Sequence, residues 1–219
     1  DLEMRSDADW DRFFTYYERW ISHYALLAEM ENLPLFSVGV ELEEATISRP
    51  DAWRGIIASV RGLYAGKLVY AANWGREFEQ ISFWEELDYM GIDWYYPLAK
   101  NETDPTEAAL RKRAGALADR IGAMAEETGR PVMLTEVGFP SIQRPWMQPH
   151  EWRRDVGLSP EDQALCYRVL RSALAEEPWM TGIFWWKWSS DLRHGGPEHR
   201  GYTPNGKPAE AVVREWFSR

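Results

Sequence analysis

The chain has 219 residues, 45% of them hydrophobic and 27% charged, with a net charge of −10. That size and apolar content suit one globular domain with a sizeable core. The acidity speaks against a nucleic acid or an anionic membrane surface as partner. No apolar run approaches the roughly 20 residues of a membrane-spanning helix. The single cysteine, Cys166, leaves no internal disulfide and no cysteine-based zinc site. The chain opens on Asp1 with neither an initiator Met nor a signal peptide; it reads as a fragment or processed form, so the compartment is not readable from it.

In chain order, helix and strand signals alternate. Trp10 to Met30 places Phe13, Phe14, Tyr17, Trp20, Ile21, Tyr24 and Ala28 at three- and four-residue steps, which predicts an amphipathic helix. Leu33 to Glu41 is an apolar strand running into a carboxylate. Ser48-Arg-Pro-Asp51 predicts a helix start, with Trp53, Ile56, Ile57, Val60 and Leu63 as the buried stripe. Lys67 to Asn73 is the next strand, followed by a short helix around Ile81 to Leu87. Tyr89 to Pro97 is a strand again, and Asp104-Pro105 caps a long Ala-rich helix ending near Gly129. Pro131 to Glu136 is a short apolar run ending in a lone acid and a Gly-Phe-Pro turn, a strand buried on both faces. Ser159-Pro160 starts a helix to about Glu177, Gly182 to Trp188 is the last strand, and Pro208 to Phe217 the last helix.

Strands that alternate with helices argue for a parallel sheet with right-handed crossovers. Doubly wound sheets and (β/α)₈ barrels share that pattern. No Gly-x-Gly-x-x-Gly loop follows any strand, so no dinucleotide fingerprint is present and no cofactor is called for. Glu41, Asn73, Tyr95, Glu136 and Trp186 all fall at C-terminal strand ends, where barrel enzymes place their chemistry. An ionised Glu at the end of a buried strand is costly unless paired or used. Two such strands in one chain point to a paired-carboxylate site at Glu41 and Glu136.

Five stretches carry a family resemblance: Val38-Gly-Val-Glu-Leu42, Tyr70-Ala-Ala-Asn-Trp74, Asp88 to Pro97, Leu134-Thr-Glu-Val-Gly-Phe-Pro-Ser141 and Gly182 to Trp188. In order and spacing they resemble the strand motifs of glycoside hydrolase family 113, retaining endo-β-1,4-mannanases with a (β/α)₈ barrel. The resemblance implies that Glu41, at the end of the fourth barrel strand, is the acid/base. It makes Glu136, at the end of the seventh, the nucleophile. The chain then corresponds to a partial barrel, strands four to eight, without strands one to three, and its substrate is a polysaccharide. Many enzymes of this clan carry Asn just before the acid/base, to hold the sugar 2-hydroxyl. Here that position is Val40, so the contact has to come from another residue.

A retaining glycosidase needs its two carboxyls about 5–5.5 Å apart, and the tips of strands four and seven converge over a barrel's centre. Tyr95 follows Gly91 and Asp93 at period two, so if that face is the interior its hydroxyl reaches the nucleophile. Trp185 and Trp186 point to opposite faces; only one can floor a sugar site, with Trp186 preferred. Asn73 and Trp74 are candidates for an adjacent subsite, against the alternative of a turn residue and a packing ring. His194, Glu198 and His199 read as a solvated loop and not a metal site, since further ligands at useful spacing are missing. Ser141 has no His/Asp arrangement to make it a nucleophile. Two rival functions stand beside the mannanase: a glycan-binding or structural barrel without catalysis, and the same chemistry on a β-glucan.

Overall fold

The computed structural model describes residues 4–100, 105–191 and 193–218; the expected Asp104 cap lies outside them. Five parallel strands form one sheet: β1 (Leu35–Val40), β2 (Lys67–Asn73), β3 (Tyr89–Trp94), β4 (Val132–Val137) and β5 (Met180–Trp185). Their spatial order is their chain order, β1-β2-β3-β4-β5. A doubly wound sheet would reverse direction part-way; this one does not, and the architecture is a partial (β/α)₈ barrel. Helices α1 (Asp7–Met30), α2 (Glu43–Ser48), α3 (Pro50–Arg61), α4 (Arg76–Gln80), α5 (Glu107–Thr128), α6 (Pro160–Leu174) and α7 (Pro208–Phe217) flank the strands. None of the described helices is long and apolar enough to cross a membrane.

The chain divides into two compact units, Asp1–Asp93 with Ala125–Met133, and Trp94–Met124 with Leu134–Arg219. In the first unit, helix α1 starts where the Ser6 side chain accepts from the Asp9 amide, with Asp7 and Asp9 favourably placed against the helix dipole. It buries Trp10, Ile21, Ala25 and Ala28, whereas Trp20 and Tyr24 stay exposed. The apolar stripe legible in the sequence is thus broader than the face the described residues cover. Strand β2 is buried from Leu68 to Ala72, the continuous pattern of a parallel strand covered on both faces. Trp53 of α3 anchors the aromatic core above it, 5.2 Å from the Tyr70 ring and 6.0 Å from that of Phe83.

Strand β1 pairs with β2 in parallel, but the register slips between Ser37 and Val40, where three steps on β1 oppose two on β2. Gly39 sits in that bulge. A Cβ there would meet Trp53 Cη2 and Tyr70 Cε2 at 2.8 Å and the Tyr17 hydroxyl at 2.9 Å, so the bulge needs a residue without a side chain. Replacing Gly39 with Ala is expected to lower stability by about 1–3 kcal/mol through overpacking. Urea unfolding checks it: an unchanged midpoint would mean that the aromatic cluster yields freely.

Several elements differ from the sequence reading. Ser48 does not cap a helix; it ends α2 and donates its hydroxyl to the Glu44 carbonyl, and α3 begins at Pro50 without a side-chain cap. The short helix expected around Ile81 to Leu87 is replaced by α4 and a single 3₁₀ turn, Trp84–Glu86. Ile81, Phe83, Trp84 and Leu87 are all buried. Their periodicity records insertion into the core from an irregular segment, not a continuous helix. Strand β5 spans Met180–Trp185, so Trp186 and Trp188 lie beyond it.

In the second unit, the Ser159 side chain accepts from the Asp162 amide and Pro160 occupies the first turn of α6, as their types predict. The opposite face of α6 is core: Cys166, Tyr167, Val169, Leu170 and Leu174 have no exposure, and burial pushes the Cys166 thiol well up. Gln163 of the same helix reaches across with its amide, donating to the Phe139 carbonyl at 2.8 Å and the Tyr202 carbonyl at 2.9 Å. Those two bonds fasten the segment after β4 to the loop before α7.

Candidate active site

Glu136 is the penultimate residue of β4 and is half-buried. The Tyr95 hydroxyl, from the residue after β3, donates to Glu136 Oε2 at 2.9 Å. Burial raises the carboxyl of Glu136 above its ordinary value, and the Tyr95 bond opposes that rise. A donor aimed at a carboxylate stabilises the ionised form, so Tyr95 holds charge where the surroundings would remove it. Tyr202 stands behind the pair, its ring edge-on to that of Tyr95 at 6.4 Å, with its hydroxyl donating to the Pro149 carbonyl at 2.9 Å.

The strand end beyond Glu136 is shaped by close backbone approach. The Trp186 amide donates to the Val137 carbonyl at 2.8 Å. A Cβ on Gly138 would stand 1.8 Å from the Trp186 carbonyl oxygen, which only glycine tolerates. The Trp186–Lys187 peptide is cis. Trp186 is 41% exposed. Trp185 faces elsewhere: it stacks on Tyr167 of α6 at 4.7 Å and meets Trp216 of α7 edge-on at 5.6 Å. Helix packing occupies the Trp185 ring, whereas Trp186 stays partly exposed with the Lys187 ammonium over its ring, 5.9 Å from the centroid.

In the first unit, Glu41 follows β1 directly and is exposed. Its backbone is left-handed, at φ 49°, a conformation that costs a non-glycine residue on the order of 1 kcal/mol or more. Two hydrogen bonds hold it there. The Glu41 amide donates to the Ala71 carbonyl of β2 at 2.9 Å, and the Leu42 amide donates to the Tyr70 hydroxyl at 2.7 Å. Tyr70 in turn donates to Glu77 Oε1 at 2.7 Å. Asn73 and Trp74, at the end of β2, are half-buried; the Asn73 amide donates to Glu77 Oε2 at 2.7 Å.

Tyr70 belongs to one of the stretches that carry the resemblance, but no motif in the sequence joins it to Glu77. Glu77 has no exposure at all, yet it stands in the run Arg76-Glu-Phe-Glu79, which reads as a solvated turn. The available signal was weak: a tyrosine seven residues before an acid, across a strand end. His194 and His199 are neighbours, with ring centroids 4.3 Å apart. Among the described residues no three His, Cys, Asp or Glu side chains gather to hold a metal ion.

Against known proteins, the family model of Glycoside Hydrolase Family 113 matches residues 1–207. No curated protein sequence matches the chain. Among solved structures, the complex of a family 113 β-1,4-mannanase superposes with a TM-score of 0.84 at 28% identity, covering 100% of this chain and 68% of its own. The family 113 β-mannanase of Alicyclobacillus acidocaldarius, in complex with ManMIm, gives 0.81 at 28% identity, covering 94% and 62%. The chain therefore spans about two thirds of the length of the mannanases it matches. A β-glucuronidase of Faecalibacterium prausnitzii, 16% identical with a TM-score of 0.65, shares the fold.

Proposed function

The chain belongs to glycoside hydrolase family 113, and from that premise we propose that it supplies both catalytic glutamates of a retaining β-1,4-mannanase. The competent form is a closed barrel, in which three further βα units complete the five strands seen here. The hydrogen bond from Tyr95 to Glu136 is the observation that carries the reading. A half-buried carboxylate fitted with a hydroxyl donor suits a nucleophile that must stay ionised until it attacks. Glu41, exposed and held by its backbone, suits the acid, because the leaving sugar departs and water enters on the open side.

In the first step the Glu136 carboxylate attacks the anomeric carbon while the glycosidic C–O bond breaks. Glu41 gives its proton to the departing oxygen, and a mannosyl ester on Glu136 remains. In the second step Glu41, now a carboxylate, takes a proton from water. The water oxygen displaces Glu136 from the anomeric carbon, and both side chains regain their starting states. Trp186 offers a ring face to a sugar, and Asn73 and Trp74 border a neighbouring subsite. Trp185 is left out, because helices α6 and α7 already hold its ring.

The test is hydrolysis of β-1,4-mannan and β-1,4-glucan by the closed-barrel protein, with the first-formed anomer read by proton NMR. Mannan cleavage with the β-anomer appearing first is expected. An α-anomer would exclude double displacement, turnover of glucan alone would exclude the mannan assignment, and no turnover of either would favour a binding module. A crystal structure of that protein is expected to place the nearest Glu41 and Glu136 carboxyl oxygens about 5 Å apart; a gap beyond about 9.5 Å would end the paired-acid reading.

Tyr95→Phe gives a separate check. The hydroxyl lowers the Glu136 pKa, so its removal lets burial act unopposed and the value rises further. A nucleophile works ionised, so the acidic limb of kcat/KM should move to higher pH. A hydrogen bond to a charged group contributes about 1.5–3 kcal/mol, so kcat should fall roughly 10- to 100-fold. An acidic limb that stays in place would remove Tyr95 from this role.

A further inference from the structure

Glu77 is buried in the first unit without any exposure, and every group bonded to it is a donor. Its Oε1 accepts from the Tyr70 hydroxyl at 2.7 Å and from the Thr46 hydroxyl of α2 at 2.9 Å. Its Oε2 accepts from the Asn73 amide at 2.7 Å. Burying a carboxylate is expensive, and burial is the first cause raising the Glu77 carboxyl, with the three donors opposing it. A position that served packing alone would be filled more cheaply by an apolar residue. The arrangement ends at one place: Tyr70, while donating to Glu77, accepts from the Leu42 amide, the peptide immediately after Glu41.

Direction matters in that relay. A tyrosine hydroxyl has one proton, and since its oxygen receives the Leu42 amide, the proton must go to Glu77. Donating to an acceptor carboxylate makes the phenol oxygen a better acceptor in its turn. The Glu41 amide is tied independently to Ala71, so the left-handed turn at Glu41 is pinned at both of its peptides, one of them through Tyr70. We infer that Glu77, acting through Tyr70, is a positioning residue for Glu41: it fixes the backbone turn from which the acid/base side chain projects. This rests on the acid/base reading of Glu41 given above.

Gln is nearly the same shape as Glu, yet it cannot satisfy this site. Turned one way its NH₂ meets the Asn73 amide, donor against donor; turned the other it meets Tyr70, whose oxygen already accepts from Leu42 and whose proton then loses its acceptor. Tyr70→Phe deletes the link and keeps the ring packing. The readout is the ratio of two kcat/KM values in the closed-barrel protein, each reporting the first step alone: for β-1,4-mannan, whose leaving oxygen needs a proton, and for a dinitrophenyl β-mannoside, whose leaving group does not. That ratio is independent of how much protein is folded. Tyr64→Phe is the control, because this buried hydroxyl donates to the Leu33 carbonyl at the opposite end of β1.

Glu77→Gln and Tyr70→Phe are expected to lower the mannan-to-aryl ratio about 10- to 100-fold, the scale of a misplacement near 1 Å. Tyr64→Phe should leave the ratio alone. Glu41→Ala calibrates the result. If it collapses the ratio while Tyr70→Phe and Glu77→Gln do not change it, the inference is overturned and the acid/base reading stands. If Glu41→Ala itself leaves the ratio unchanged, the acid/base reading falls and takes the inference with it. Should Glu77→Gln fail to fold, Tyr70→Phe alone decides, since it removes a single oxygen.

Discussion

Glu136→Ala in the closed-barrel protein is expected to lower kcat on β-1,4-mannan by roughly 10⁴–10⁶-fold, the scale on which removal of a covalent nucleophile acts. The loss should not depend on the leaving group, because a substrate that needs no protonation still needs an attack on its anomeric carbon. Azide should restore part of the rate. It is small and anionic, and the space left by the missing carboxylate lies beneath that carbon. Attack from there inverts the centre once, so a β-mannoside should yield an α-mannosyl azide. Turnover within tenfold of the parent, or a β-azide product, would show that Glu136 is not the nucleophile.

The same residue shows how far sequence reaches. An apolar run that ends in one acid and a Gly-Phe-Pro turn identifies both β4 and the side chain proposed as nucleophile, because burial and charge conflict at a definite position. The partner Tyr95 was legible from period two along β3, since alternate residues share a face. Trp185 and Trp186 were legible as opposites, but the choice between them depended on which helix ring would meet which indole. Tyr167 and Trp216, far along the chain, decide that.

The bulge before Glu41 left less trace. Val38, Gly39 and Val40 read as plain strand, and only the slipped register with β2 reveals why Gly39 is required. Local periodicity predicts one helix after Asn73, where apolar side chains instead enter the core from a short helix and a 3₁₀ turn. Glu77 leaves the least trace of all. Its meaning comes from donors at positions 46, 70 and 73 converging in space, and no spacing rule on a single element encodes that convergence. What is legible in a sequence is a conflict within one element; what is lost is agreement among several.

Glu41 is where that distinction becomes measurable. Glu41→Ala removes a proton donor and later a proton acceptor, but it leaves the nucleophile in place. On β-1,4-mannan the expected loss is about 10²–10⁴-fold, the range of general acid–base catalysis. On a dinitrophenyl β-mannoside the first step should proceed nearly unchanged, because dinitrophenolate departs without a proton. The second step then lacks its base, so the mannosyl ester on Glu136 should accumulate and a burst of dinitrophenolate should precede a slow steady state. Azide needs no deprotonation and should speed that second step. It would attack the ester-bearing carbon from the face opposite Glu136, so the second inversion gives a β-mannosyl azide, the opposite anomer to that from Glu136→Ala. Two single substitutions thus yield two different azides from one substrate, and the pair of products assigns the roles without reference to rates. An equal loss of kcat/KM on both substrates, or the α-azide from Glu41→Ala, would mean that Glu41 is not the acid/base and that some other group stands above the scissile oxygen.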